Sequence, residues 1–239
     1  MNESLIDAAQ NLCGLAPGRS VLVGVSGGTD SICLAHVLAQ AGYTLVIAHF
    51  DHALRPESAQ EADSVAAFAG RIGASFVAGR EEVQAFADQA GLSVEEAARI
   101  RRYEFLFRHA AQRSVQAVAV AHNANDQVET VLMHLLRGAG LAGLSGMAYR
   151  SLPNPWSQSI PLVRPLLGIW REEIEAYNAR HSLSALEDRT NQDTRFFRNR
   201  LRHELIPYLE TYNPAVRPSL WRTAEVLRED DRLLEALAE

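Results

Sequence analysis

An α/β fold built on a doubly wound, mostly parallel sheet is predicted by three features of the chain. An apolar run turns through Ser26-Gly27-Gly28 into a helix, short apolar runs then alternate with amphipathic segments, and polar residues gather just after those runs. Such alternation implies parallel strands with helices on both faces. Ligands of these sheets bind beyond the carboxyl ends of the strands, which is where the polar residues lie.

The elements follow in order. Val21 to Val25 forms the first strand, and Ile32 to Gln40 continues the helix that begins after the glycines. Leu45 to Phe50 is a second strand, Ser58 to Arg71 an amphipathic helix and Ser75 to Ala78 a third strand, each apolar run short and bounded by glycine or a charge. Helical spacing returns from Val94 to Ala111, Gln116 to Ala121 is a fourth strand, and Asp126 to Leu136 is another helix. Gly138 to Met147 is a glycine-rich crossing, and Ser151 to Pro165 is rich in proline and serine. Helices are then expected from Gly168 to His181, from Asn199 to Tyr212 and from Pro218 onward, with a polar connection from Ser182 to Asn191. The expected organisation is a nucleotide-binding domain over residues 1–185 and a small helical carboxy-terminal subdomain over residues 186–239.

Composition narrows the class. With 239 residues and an apolar fraction of 47%, the chain can build one large core plus a small appendage. Cys13 and Cys33 form neither a zinc motif nor a disulfide framework, as expected of a reducing compartment. No opening apolar run has a basic flank and no segment reaches the length of a membrane span, so a cytoplasmic location and no membrane partner are expected. The net charge of −6 argues against a surface coated for nucleic acid, but the 23 basic residues are all arginine and they cluster. One group is Arg99, Arg101, Arg102 and Arg108; the other is Arg189, Arg195, Arg198, Arg200 and Arg202. Arginine's planar fork suits phosphate and carboxylate, although helical arginines also serve as solvated surface charge.

Three post-strand segments carry the candidate chemistry: Ser26 to Ser31, His49 to Arg55, and Ala121 to Thr130. In the first, the glycines admit close approach and the helix start attracts an anion, so the loop is expected to hold the phosphates of a nucleotide. Its lettering is neither that of a P-loop nor that of a dinucleotide fold. Asp30 fits either a cation ligand or a helix cap. Asp126 and Glu129 share one face of a helix start, where they fit either a cap that suits the dipole or a paired site for a cation.

Ser26-Gly27-Gly28-Thr29-Asp30-Ser31 resembles the pyrophosphate loop of the PP-loop ATPases, which cleave ATP between its α and β phosphates and adenylate an oxygen. A longer set of motifs is similar to the tRNA(Ile)-lysidine synthetase family. That set comprises His49-Phe50-Asp51-His52-Ala53-Leu54-Arg55, Glu95-Glu96-Ala97-Ala98-Arg99 with Arg102-Tyr103, and His122 through Thr130. It continues with Arg137-Gly138-x-Gly140-Leu141-x-Gly143-Leu144, Glu187-Asp188-x-Thr190-Asn191-x-Asp193 and Arg198-Asn199-Arg200-Leu201-Arg202. The likeness runs from about Val21 to about Pro214, and the order of the motifs is more specific than any one of them.

The resemblance implies a PP-loop ATPase sheet and a two-step reaction. ATP adenylates the base oxygen at carbon 2 of the wobble cytidine of an isoleucine tRNA with a CAU anticodon, and free L-lysine then displaces AMP to give lysidine. It implies catalytic duty for Asp30, Arg99, Asp126 and Glu129, with Asp30 holding Mg2+. The ATP site would comprise Ser26, Gly27, Gly28, Thr29, Asp30 and Ser31, with His49 and His122 at strand ends; His52 also caps a strand. Asp126 and Glu129 would bind the lysine ammonium, and Arg102, Arg195, Arg198 and Arg202 would contact substrate. Arg102 also fits packing against Tyr103.

The sequence departs from the family pattern at Asn125, where paired aspartates are usual, and relatives often carry additional carboxy-terminal tRNA-binding domains. A homodimer stays open. Two other readings stand beside this one: another PP-loop adenylating enzyme, such as a tRNA thiolase or an amidotransferase-type synthetase, or a nucleotide-binding module without catalysis. Thiolases of that kind usually display CxxC pairs, which Cys13 and Cys33 do not supply.

Overall fold

The computed structural model describes residues 1–53, 58–186 and 197–238. In chain order the elements are α1 (Asn2–Asp7, prolonged by a π-helical turn at Ala8–Leu12), β1 (Ser20–Gly24), α2 (Thr29–Gln40), β2 (Thr44–Asp51), α3 (Ser58–Arg71) and β3 (Ser75–Arg80). Then come α4 (Val83–Ala90), α5 (Val94–Gln112), β4 (Val118–Ala119), α6 (Ala124–Leu136) and α7 (Leu141–Leu144). The remainder is β5 (Arg150–Ser151), β6 (Leu162–Val163), α8 (Arg171–Arg180), α9 (Phe197–Arg200), a π-helical turn (Leu201–Leu205), α10 (Ile206–Glu210) and α11 (Val216–Ala238).

The strands form one six-stranded sheet in the order β3-β2-β1-β4-β6-β5. All neighbours are parallel except β5 and β6, which run antiparallel at one edge. The chain leaves β1 first toward β2 and β3 and later returns to β4 on the other side, so the switch point lies between β1 and β4. Val21, Leu22 and Val23 of β1 are wholly buried, as befits a continuous apolar strand covered on both faces. On one face, Tyr103, Phe105, Leu106, Phe107 and Ala110 of α5 join Leu22, Val46, Ala48, Val118 and Leu162 in one cluster. Helix α2 contributes Ile32, Cys33, Leu34, Ala35, Val37 and Leu38 to the core and packs on α8.

The described residues fall into two compact units, one of residues 1–53, 58–121 and 149–186 and one of residues 122–148 and 197–238. His122–Ala148 goes with the carboxy-terminal helices, because α6 and α7 pack on α11. The second unit contains its own clamp on the glycine-rich crossing. The buried Arg228 donates from Nη2 to Ser145 O at 2.9 Å and to Met147 O at 2.8 Å, while Gln127 Nε2 reaches the same carbonyls at 3.3 and 3.2 Å. Gln127 Oε1 accepts from Met147 N at 2.8 Å. Gly146, at φ +68°, turns the chain between them, and a Cβ there would lie 2.6 Å from Gln127 Nε2. No helix among the described residues is long and apolar enough to cross a membrane.

Candidate active site

The phosphate loop links β1 to α2 in the first unit. Gly27 adopts φ +92°, outside the range of ordinary L-residues, and a Cβ added there would meet Leu186 Cδ1 at 2.6 Å. The loop is tied down from within: Gly28 N donates to Ser26 Oγ at 3.3 Å, and Ser31 Oγ donates to Gly28 O at 3.0 Å. Leu186 N donates to Gly27 O at 2.9 Å, pinning a distant segment against the turn. Gly28 is the N-cap of α2 and offers no side-chain cap. The first-turn N–H groups of this helix therefore remain at its positive dipole end, an arrangement suited to an anion. Asn178 of α8 donates to Thr29 O at 2.9 Å and steadies that turn.

Asp30 stands in this first turn with its side chain 23% exposed, and Arg171 Nη1 lies 3.9 Å from its Oδ2. A half-exposed carboxylate beside an anion cradle is a hard oxygen donor of the kind Mg2+ accepts through one or two protein ligands, so the residues fit that ion. Among the described residues no group of three or more His, Cys, Asp or Glu could enclose a metal by themselves. Arg171 was invisible to sequence reasoning: it opens a helix whose local pattern carries no phosphate motif, and its partner is remote in the chain.

At the end of β2, His49 Nδ1 donates to Val25 O at 2.9 Å, which anchors the ring against the strand that leads into the phosphate loop. His52 contacts Phe50 edge-on, with ring centroids 5.1 Å apart. Burial, reinforced by the nearby Arg102 charge, lowers the His52 pKa to about 4. Arg99 and Arg102 both lie over the Tyr103 ring, at 5.5 and 5.2 Å from its centroid. Tyr103 is fully buried and stacks on Trp156 with ring centroids 4.1 Å apart, so Arg102 packs against a core aromatic. Leu54 and Arg55 lie outside the described residues.

The remaining acids meet the second arginine group within the second unit. Asn123 caps α6: its Oδ1 accepts from Asp126 N at 3.1 Å, and Asp126 Oδ2 accepts from Asn123 N at 3.0 Å. The capping box thus spans Asn123 and Asp126, leaving Glu129 out of it. Glu129, whose side chain is 1% exposed, is gripped by two guanidinium groups. Arg202 donates from Nε to Oε1 at 2.6 Å and from Nη2 to Oε2 at 3.1 Å. Arg198 donates from Nε to Oε2 at 2.6 Å and from Nη2 to Asp126 Oδ1 at 3.2 Å. Burial raises the Asp126 pKa against the opposing pull of Arg198. The structure therefore joins Asp126, Glu129, Arg198 and Arg202 in one cluster. His122 is half-buried just before this helix. Arg189 and Arg195 lie outside the described residues.

Comparison with known proteins places the chain. The PP-loop domain family matches residues 1–209. The tRNA(Ile)-lysidine synthase of Gloeobacter violaceus is 40% identical over 93% of this chain and 67% of its own length. The chain belongs to the tRNA(Ile)-lysidine synthase family of PP-loop proteins.

Other members of the lysidine synthase family agree. Those of Geobacter sulfurreducens and Thermus thermophilus are 43% and 41% identical over 93% and 96% of this chain, matching 47% and 43% of their own lengths. The chain thus spans less than half of these two relatives. Among solved structures, a U34-tRNA thiolase from Methanococcus maripaludis shares the fold with a TM-score of 0.76 at 18% identity, over 95% of this chain and 79% of that one. An NMN synthetase from Francisella tularensis follows at 0.53 and 13%, over 77% and 70%. In this family member both cysteines are buried and their thiols are pushed up to about 12, so neither is a thiolate near neutral pH.

Proposed function

We propose that the chain catalyses ATP-dependent ligation of lysine to carbon 2 of the wobble cytidine of an isoleucine tRNA with a CAU anticodon, in the cytoplasm. In the first step the base oxygen attacks the α-phosphorus of ATP, the bond to the β-phosphate oxygen breaks, and pyrophosphate leaves. In the second, the uncharged side-chain amine of lysine attacks carbon 2, AMP leaves with the oxygen, and the amine gives up a proton. The observation that carries this reading is the match to curated lysidine synthases across more than nine-tenths of the chain, together with the PP-loop geometry at Gly27 and Gly28.

The chain's own residues would act as follows. The first-turn N–H groups of α2 and the hydroxyls of Ser26 and Ser31 hold the phosphates, and Asp30 holds Mg2+, which when bound screens the charge of the leaving pyrophosphate. Arg171 stands beside that charge. Asp126 and Glu129 supply the anionic site for the amine substrate, and the raised pKa of Asp126 suits it to take the proton released on attack. Arg99, Arg102, Arg198 and Arg202 provide the cationic contacts to substrate. The test is incubation with ATP, Mg2+, labelled lysine and an isoleucine tRNA with a CAU anticodon, followed by counting label in the RNA. Label in the RNA, with AMP and pyrophosphate in equal amounts, is the expected result. Nucleotide cleavage without label in the RNA would overturn the substrate assignment.

A further inference from the structure

Every carboxylate oxygen of Asp126 and Glu129 already holds a donor. Arg202 Nε occupies Glu129 Oε1, Arg198 Nε and Arg202 Nη2 share Oε2, Arg198 Nη2 takes Asp126 Oδ1 and the Asn123 N–H takes Oδ2. Two acids face two guanidinium groups, so the cluster is neutral as it stands. Glu129 is 1% exposed, so an ammonium group from solvent reaches its oxygens only by moving an arginine aside, and bidentate guanidinium grips of this kind are among the stronger polar contacts in proteins.

Exposure sets which partner can open the cluster. The Glu129 side chain is 1% exposed, whereas those of Arg198 and Arg202 are 26% and 25% exposed. A ligand arriving from solvent meets the cations, not the anion. An anion that draws both arginines outward would, by itself, leave Glu129 buried without a counter-charge, which is strongly unfavourable. An ammonium group that enters alone must displace two tethered cations. When both ligands arrive, the arginines meet phosphates and the buried Glu129 regains a counter-charge from the ammonium, which it shares with Asp126.

We propose that Asp126, Glu129, Arg198 and Arg202 form an exchangeable latch, in which RNA phosphates take the arginines and the amine substrate takes the released carboxylates. RNA and amine then bind with positive coupling. This rests on the reading of Asp126 and Glu129 as the amine site given above, and adds to it a condition for access. One purpose follows from chemistry: an amine admitted only in the presence of RNA is not exposed to activated phosphate when the acceptor is missing.

The experiment is calorimetric titration of L-lysine into the full 239-residue chain, with and without a saturating RNA hairpin carrying a CAU loop. The expected result is lysine binding at least about tenfold tighter with the hairpin, and hairpin binding tightened by the same factor with saturating lysine, since coupling between sites is reciprocal. Equal lysine affinity in both arms overturns the latch, as does absence of lysine binding when RNA is present. Arg202→Lys keeps the charge and loses the two-pronged grip. In that variant lysine binding without RNA should tighten and the coupling factor should shrink; an unchanged factor also overturns the proposal. Transfer of label to tRNA without coupling would remove the latch and leave the ligase reading intact. Coupling without transfer would do the reverse.

Discussion

Replacing Gly27 by alanine tests the geometry of the phosphate loop at its tightest point. The φ of +92° costs an L-residue about 1–2 kcal/mol. The new methyl would lie 2.6 Å from Leu186 Cδ1, and Leu186 cannot retreat as a whole because its N–H donates to Gly27 O at 2.9 Å. Relief requires either an off-rotamer Leu186 side chain, about 0.5–1.5 kcal/mol, or loss of that hydrogen bond, about 0.5–1.5 kcal/mol. The expected destabilisation is thus roughly 1.5–3.5 kcal/mol, or a fall in melting temperature of about 3–14 °C for a chain of this size. Urea denaturation of Gly27→Ala, Leu186→Ala and the double variant separates the parts. The double variant should recover the clash component and retain the backbone component, giving a coupling of about 0.5–1.5 kcal/mol. ATP affinity, read by calorimetry, should stay weakened in the double variant because the distorted turn moves the N–H groups. A Gly27→Ala protein as stable as wild type, or full rescue by Leu186→Ala, would refute the reasoning.

Three further outcomes are expected. Asp30→Ala should reduce tRNA-dependent pyrophosphate release by about a hundredfold or more with an unchanged circular dichroism spectrum; near wild-type turnover would remove Asp30 from the metal site. Glu129→Gln should raise the lysine concentration needed for ligation about tenfold to hundredfold, the loss expected for a charge-assisted hydrogen bond; a lowered melting temperature with an unmoved lysine titration would assign Glu129 to structure alone. The His52 ring has a folded pKa of about 4 against an ordinary value of 6.5, so the unfolded chain takes up the proton first as pH falls. Its contribution is complete above about pH 6.5 and is lost progressively toward about pH 4. Urea denaturation at about pH 7 and about pH 5 should show a smaller loss for His52→Phe than for wild type, and parallel losses would count against the assignment.

The part of the fold that the sequence disclosed is the part built on long apolar runs. β1 and β2 announce themselves because strands covered on both faces need uninterrupted apolar residues, β3 at the sheet edge shows as a short apolar run bounded by serine and glycine, and α3 is legible from Ser58 to Arg71. β6 is a two-residue ladder inside a stretch rich in proline and serine, and β5 is no longer, so neither leaves a periodic signal. Helix α4 is only eight residues and sits between two loops, which also hid it. Composition does not change at Ala121, so nothing marks the point where the chain passes into the second unit. The phosphate loop could be read because its residues are consecutive. The acid and arginine cluster could not, because Glu129 and its two partners stand 69 and 73 positions apart and each side has an ordinary helical reading of its own.

The two oxygens of Asp126 have separate employers. Oδ2 holds the backbone N–H of Asn123 and so starts α6, while Oδ1 holds Arg198. In the proposed latch a change of partner at Oδ1 would therefore leave the helix start in place, and the backbone that presents Glu129 would not have to refold. The same division constrains inheritance. Asparagine at this position could still cap the helix yet would lose the charge, whereas glutamate, the usual capping-box residue here, would keep both but move its second oxygen away from the place where Oδ1 meets Arg198. Folding and the arginine contact thus rest on different atoms of one side chain.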